Sequence, residues 1–197
     1  ELGPTNAAAI HQEKTSILEA IPPATIGTRG QYASYRTEVQ NPQSWVETYA
    51  SLQLEINTAR WKGVKVMVAT GKAMKEKSTR IVVTFKKTTE VQIANQLVFN
   101  VQPNEGITLE VSNKQPGIGR KMKTIAMSYK YDHAFAHSRL LDSYERLFHD
   151  AMENDNSLFT TSAEILACWR IVEPMLQRWQ KDGEGLVIYP NGSETIN

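Results

Sequence analysis

Downstream of Tyr49 the chain begins to alternate. Leu52, Leu54 and Ile56 are apolar and Gln53 and Glu55 between them are polar, the period-two signature of a half-buried strand. The same period returns and predicts further strands over 63–69, 79–86, about 95–102, 106–112 and 123–131. In 106–112, Ile107, Leu109 and Val111 share one face and Thr108, Glu110 and Ser112 the other. In 123–131, Ile125, Met127, Tyr129 and Tyr131 alternate with Thr124, Ala126, Ser128 and Lys130. The linkers are too short for crossover helices, so antiparallel neighbours are the economical topology. Toward both ends the period becomes helical. Ile17, Leu18 and Ile21 share a face over 11–21, and Pro22-Pro23 ends that helix. Leu140, Leu141, Tyr144, Leu147, Phe148 and Met152 recur at helical spacing. Another helix starts at Ser162, read as its N-cap, and carries Ile165, Leu166, Trp169, Val172, Leu176 and Trp179, with Pro174 expected to kink or split it. Residues 1–10 read as a loose leader, 24–44 as a long surface connection and 114–120 as a loop. The fold class predicted is α+β: one large, mostly antiparallel sheet with helices packed on one face, in a single domain over 1–197.

Composition narrows the function without naming it. The 197 residues are 41% hydrophobic and 22% charged, with a net charge of +1, so no global pull toward nucleic acid or a membrane is expected. No apolar run approaches the roughly 18–20 residues that span a bilayer. The single cysteine, Cys168, excludes an internal disulfide framework, suits a reducing compartment and is expected as a buried, inert thiol. Gly117-Ile118-Gly119 lacks the third glycine of a dinucleotide fingerprint, and no βαβ repeat surrounds it. His133 and His137 are four apart and could ligate a metal if helical, with Asp132 nearby, but no third ligand is convincing, so no metal is expected.

One stretch carries candidate chemistry. Arg60 to Lys77 opens with Arg60-Trp61-Lys62-Gly63, continues through Val64, Val66 and Val68, breaks at Gly71, and then presents Lys72, Lys75 and Lys77. A strand that ends in glycine and then offers ammonium groups is a plausible anion site, since a fixed backbone can aim them. The plainer reading is that these lysines solvate a turn. Between Arg60 and Glu90 stand nine Lys/Arg against two Glu. Single-stranded nucleic-acid binding by the basic stretch Arg60–Lys87 with Trp61 would need several exposed stacking aromatics, which that stretch does not supply.

The order of residues adds a resemblance. Arg60-Trp61-Lys62-Gly63-Val64 followed by Thr70-Gly71-Lys72 resembles the "RWxGVP…LRTGK" segment of the glucose-6-phosphate dehydrogenase family, in its C-terminal domain. Gln102-Pro103-Asn104-Glu105-Gly106-Ile107 resembles "QPxEGI", Asp142-Ser143-Tyr144-Glu145-Arg146-Leu147 resembles "DAYERL", and Trp169-Arg170-Ile171-Val172-Glu173-Pro174 resembles "WxIxxP". Gly30-Gln31-Tyr32 matches the family's "GQY". The blocks fall in the family's order across nearly the whole chain.

That resemblance implies a function for the complete protein: oxidation of glucose 6-phosphate to 6-phosphogluconolactone with NADP, in the cytoplasm, as part of the pentose phosphate pathway. It implies substrate contacts at Lys72, Lys77 and Gln102, and self-association as a homodimer or tetramer through the sheet. The family's N-terminal dinucleotide-binding half and its catalytic histidine are not in this sequence. The NADP is therefore expected to be bound elsewhere, and this chain alone, which begins at Glu1, is expected to be an inactive piece with no catalytic residue of its own. Lys65 stands where the family has Pro, Ala69 where it has Arg, and Asn100 replaces another basic residue, so no structural NADP site is expected. The alternative is a non-catalytic sugar-phosphate-binding or regulatory paralogue. The small, nearly uncharged set Thr124, Ala126 and Ser128 independently suggests a sheet face that a second sheet could approach.

Overall fold

The computed structural model describes residues 6–87, 93–135 and 143–196. In chain order these hold α1 (Ala7–Glu19), β1 (Ile26–Tyr32), α2 (Tyr35–Glu38), β2 (Tyr49–Leu54), β3 (Val66–Gly71), β4 (Thr79–Thr84) and β5 (Gln96–Gln102). Then follow β6 (Gly106–Lys114), β7 (Met122–Lys130), α3 (Tyr131–Ala134), α4 (Ser143–Met152), α5 (Ser162–Trp179) and β8 (Leu186–Tyr189). The chain divides into two compact units, Glu1–Lys75 with Ser143–Asn197, and Glu76–Asp142. The class is α+β and mostly antiparallel, as expected, but the strands form two four-stranded sheets rather than one large one. Alternation along a strand reports which side chains share a face, not which strand lies alongside.

The first unit has the strand order β3-β2-β1-β8. Strand β1 lies inside this sheet, antiparallel to β2 and parallel to β8. It occupies part of the segment read as a surface connection, which corrects that expectation. Its sequence, Ile-Gly-Thr-Arg-Gly-Gln-Tyr, has no apolar alternation. Its buried side chains are instead Arg29 and Gln31, 2% and 1% exposed. The Arg29 guanidinium donates to the carbonyls of Trp179, Asp182 and Glu184 at 2.5, 2.7 and 2.6 Å. Those carbonyls lie at and just beyond the end of α5, where intrahelical donors run out, so a cation there satisfies them and complements the helix dipole. Arg170 does the same at the other helix, donating to the carbonyls of Leu18 and Ile21. Gln31 Nε2 donates to the carbonyls of Ser44 and Val46.

Helix α1 starts at Ala7, with Asn6 Oδ1 accepting from the Ala9 amide at 2.8 Å, so residues 7–10 belong to the helix rather than to a loose leader. Residues 1–5 lie outside those described. Helix α5 opens with a capping box one residue earlier than read, with Thr161 as the N-cap and Glu164 answering it. Glu164 is buried, and its carboxylate also meets His11 Nδ1 at 3.1 Å, pinning α1 to α5. The Thr161 amide and then His11 hold the Glu164 carboxyl below its ordinary range, with a smaller push from Lys14. Pro174 sits inside α5 without splitting it.

The buried stripe of α5 is Glu164, Ala167, Ile171, Met175 and Trp179. Ile165, Leu166 and Trp169, three of the apolar residues read at helical spacing, are exposed by 46%, 69% and 52%. Periodicity finds the apolar residues of a helix but does not choose between two apolar stripes. Met175 and Trp179 pack with Ala24 and Leu52, flanked by Ala50, Leu54, Val172 and Leu176. Cys168 is exposed, contrary to the expected buried thiol. In α4, Tyr144, Phe148 and Met152 are also exposed, and Leu140 and Leu141 lie outside the described residues.

The second unit is simpler. Its sheet runs β4-β5-β6-β7, with each strand antiparallel to its neighbour in sequence. The register aligns Ile81 with Phe99, Phe99 with Ile107, and Ile107 with Tyr129, so one face is apolar. Val98, Thr108 and Ser128 align on the opposite face, beside Glu110 and Ala126. Among the described residues no helix is long and apolar enough to cross a membrane.

Candidate functional site

The lysine-rich turn is built at the edge of the first unit's sheet. Strand β3 ends at Gly71, where an added Cβ would lie 2.8 Å from the Tyr49 ring and 3.0 Å from Met74 Sδ. Only glycine lets the chain pass there without displacing both neighbours. Lys72 follows with both of its main-chain polar groups held. Its N–H donates to the Thr48 carbonyl at 2.8 Å, and its carbonyl accepts from the Tyr189 hydroxyl at 2.8 Å. Tyr189 is 2% exposed. Its oxygen also lies 2.9 Å from Thr48 Oγ1, which accepts from the Tyr32 amide at 3.0 Å. The Tyr32 hydroxyl in turn donates to Glu38 at 2.7 Å, and that carboxylate raises the phenol above its ordinary value. Glu38 is lowered by the Ser34 hydroxyl and then by Tyr32.

The turn beyond Lys72 is held by the segment that follows β8. Ala73 adopts φ 49°, the left-handed region, and its carbonyl accepts from the Gly192 amide at 2.7 Å. Met74 pairs with Ser193, and the Lys75 amide donates to the Ser193 carbonyl at 3.0 Å. Lys75 Nζ is paired with Glu194. The Lys72 side chain is exposed and has no ion-pair or hydrogen-bond partner among the described residues. A cation on a fixed main chain with no internal counter-charge is suited to an anionic ligand.

The other two candidates belong to the second unit. Lys77 is exposed two residues before β4. Gln102 is the last residue of β5, exposed, and pairs with Thr79 across a β-bulge. Lys77 and Gln102 therefore share one end of that sheet, as the segment after β5 turns through Pro103 and Asn104, the latter at φ 61°. Sequence reasoning missed Tyr189 and Thr48. Neither lies in a periodic run long enough to signal a strand, and Tyr189 acts through a hydroxyl rather than through a motif. Among the described residues no three His, Cys, Asp or Glu side chains converge on a possible metal position, and His137 lies outside them.

Known proteins with the same pattern are consistent among themselves. The profile described as glucose-6-phosphate dehydrogenase, C-terminal domain, matches residues 3–196. A glucose-6-phosphate 1-dehydrogenase of Mycolicibacterium smegmatis is 33% identical over 213 residues, covering 96% of this chain and 43% of that protein. One from Chlamydia muridarum is 34% identical over 200 residues, covering 89% of this chain and 39% of that protein. A solved glucose-6-phosphate dehydrogenase in complex with its substrate glucose-6-phosphate superposes with a TM-score of 0.90 at 27% identity, over 100% of this chain and 44% of that one. The crystal structure of a glucose-6-phosphate 1-dehydrogenase from Mycobacterium avium gives a TM-score of 0.80 at 26% identity, over 96% and 41%.

Proposed function

This chain belongs to the glucose-6-phosphate dehydrogenase C-terminal domain family, and from that membership we propose that it is the substrate-side and self-association domain of a protein that oxidises glucose 6-phosphate to 6-phosphogluconolactone with NADP. The chain spans less than half the length of the relatives it matches, 43% and 39% for the two above. The observation that carries the reading is Lys72, an exposed cation on a turn whose main chain is bonded on both sides. We assign Lys72 and Lys77 to the phosphate and sugar oxygens, and Gln102, whose amide both donates and accepts, to the hydroxyls. A relative of known structure that superposes over this whole chain was solved with glucose 6-phosphate bound, which supports the assignment.

We assign no dinucleotide site to this chain. The parallel pair β1 and β8 is separated by most of the chain, and no glycine-rich turn links a strand to a helix between them. The hydride step is therefore not assigned to residues of this chain, and the chain by itself is expected to leave NADP unreduced in the presence of glucose 6-phosphate. We place the protein in the cytoplasm, in keeping with the one cysteine of this chain, which is unpaired.

We also assign self-association, as a homodimer or tetramer, to the polar face of the second sheet. Thr124, Ala126 and Ser128 are small and exposed there and would let a second sheet approach closely. Sedimentation at micromolar concentration tests this. A species heavier than 22.2 kDa is expected, Ala126→Arg should reduce it to the monomer, and a monomer from the unaltered chain contradicts the assignment.

The substrate assignment is tested by titrating the chain with glucose 6-phosphate and following its resonances by NMR. Weak saturable binding is expected, since exposed charge contacts contribute only about 1 kcal/mol each. Lys72→Ala should weaken it about five-fold. Equal affinity in the variant removes Lys72 from the site.

A further inference from the structure

The binding role assigned above uses the Lys72 ammonium but leaves unexplained the partly buried hydrogen-bond chain beneath it and the Gly30-Gln31-Tyr32 segment. We propose that Tyr189 is a positioning residue for Lys72, acting through its hydroxyl on the Lys72 carbonyl. The inference rests on the reading of Lys72 as a sugar-phosphate contact.

A tyrosine hydroxyl has one hydrogen to donate. The Thr48 hydroxyl already accepts from the Tyr32 amide at 3.0 Å, so its own hydrogen is free for Tyr189 at 2.9 Å. The Tyr189 hydrogen then goes to the Lys72 carbonyl at 2.8 Å, a shorter contact than the 3.3 Å to the Thr48 carbonyl. Donation runs in one direction, from the Tyr32 amide through Thr48 and Tyr189 to Lys72. Chained donors of this kind polarise one another. Thr48 closes the circuit by accepting the Lys72 amide on its carbonyl.

The ring of Tyr189 is fixed as well. It stands edge-on to Tyr32 and to Tyr49, with centroids 6.4 and 6.2 Å away. A Cβ on Gly30 would come within 3.1 Å of it, tighter than ordinary packing. Gly30 thus makes room for the ring, and Tyr32 starts the donor chain. A lysine side chain is flexible, so the placement of its ammonium depends on where its main chain is held. Removing the Tyr189 hydroxyl leaves the Lys72 carbonyl without its donor and lets the turn shift, while the ring continues to fill its place.

The test is a double-mutant cycle on the full chain, with Tyr189→Phe, Lys72→Ala and the double variant titrated with glucose 6-phosphate by NMR. Tyr189→Phe is expected to weaken binding about three- to five-fold. In the Lys72→Ala background the same change should have no further effect, because the hydroxyl acts only through Lys72. A purely structural role would weaken binding equally in both backgrounds, and that result overturns the inference. So does unaltered affinity in Tyr189→Phe. If Lys72→Ala itself binds like the unaltered chain, the reading of Lys72 fails and the inference with it. Should Tyr189→Phe not fold, Thr48→Val removes the hydroxyl one step earlier. It is expected to give a smaller loss that again disappears in the Lys72→Ala background, and its persistence there counts against the proposal.

Discussion

In the sheet from β4 to β7 every strand pairs with the one before or after it in the chain, antiparallel throughout and broken by one bulge at Thr79/Arg80. In the sheet β3-β2-β1-β8 the interior strand β1 is joined to β8 from the far end of the chain, and its buried side chains are an arginine and a glutamine. Closing the first kind of sheet needs short loops and little entropy. Closing the second needs contacts between distant segments, and here charged and polar side chains make many of them. Arg29 bonds three carbonyls around the end of α5, and Tyr189 bonds the lysine turn. A polar group removed from water destabilises the fold wherever it lacks a partner; the terminal nitrogens of Arg29 are bonded, while its Nε has no hydrogen-bond partner among the described residues. The difference suggests why the turn that presents Lys72 belongs to the sheet with long-range polar bonds: a hydrogen-bonded circuit fixes direction, which apolar packing alone does not.

The largest expected break in this contrast is Arg29→Leu. It leaves three carbonyls without their donor and should lower the stability of the first unit by about 3–5 kcal/mol, read by urea unfolding through tryptophan fluorescence. An acid titration sharpens the same point. Glu164 is held below its ordinary value of 4.5 by the Thr161 amide and His11. A carboxyl depressed in the folded state contributes stability above its unfolded value and loses it as pH falls through the folded one. The melting temperature should therefore drop on the acid side, and Glu164→Gln should flatten that limb of the profile. A profile unchanged by the substitution would show that the capping carboxylate does not control it. The smallest effect belongs to the other sheet. Ser112 is buried on β6, and its hydroxyl has no hydrogen-bond partner among the described residues. Ser112→Ala should be neutral or stabilising by up to about 1 kcal/mol, and a loss above that value would mean the hydroxyl is engaged.

The same contrast governs what could be read from the sequence. Ile107, Leu109 and Val111 announce β6 by period alone, and Ile125, Met127 and Tyr129 announce β7, since alternation is how a strand with one apolar face is written. Strand β1 is invisible to that rule because Arg29 and Gln31 are the residues it buries. Strand β8 is only four residues long, too short to show a period. Helix α5 was legible in extent but not in phase, for Ile165 and Leu166 are as apolar as Ile171 and Met175. In the candidate site, Lys72 follows from Gly71 and the lysines after it. Tyr189 could not be read, since its role depends on one hydroxyl meeting one carbonyl across the fold.

The claim beneath the rest is that buried polar side chains on β1 hold together the sheet whose edge presents Lys72. Residue-resolved amide hydrogen exchange, comparing the unaltered chain with Arg29→Leu, tests it most directly. The amides of β1 and β8, and the Lys72 amide bonded to Thr48, should exchange at least about 100-fold faster in the variant, the factor that 3–5 kcal/mol of lost stability implies. Protection of those amides at the level of the unaltered chain would contradict the account.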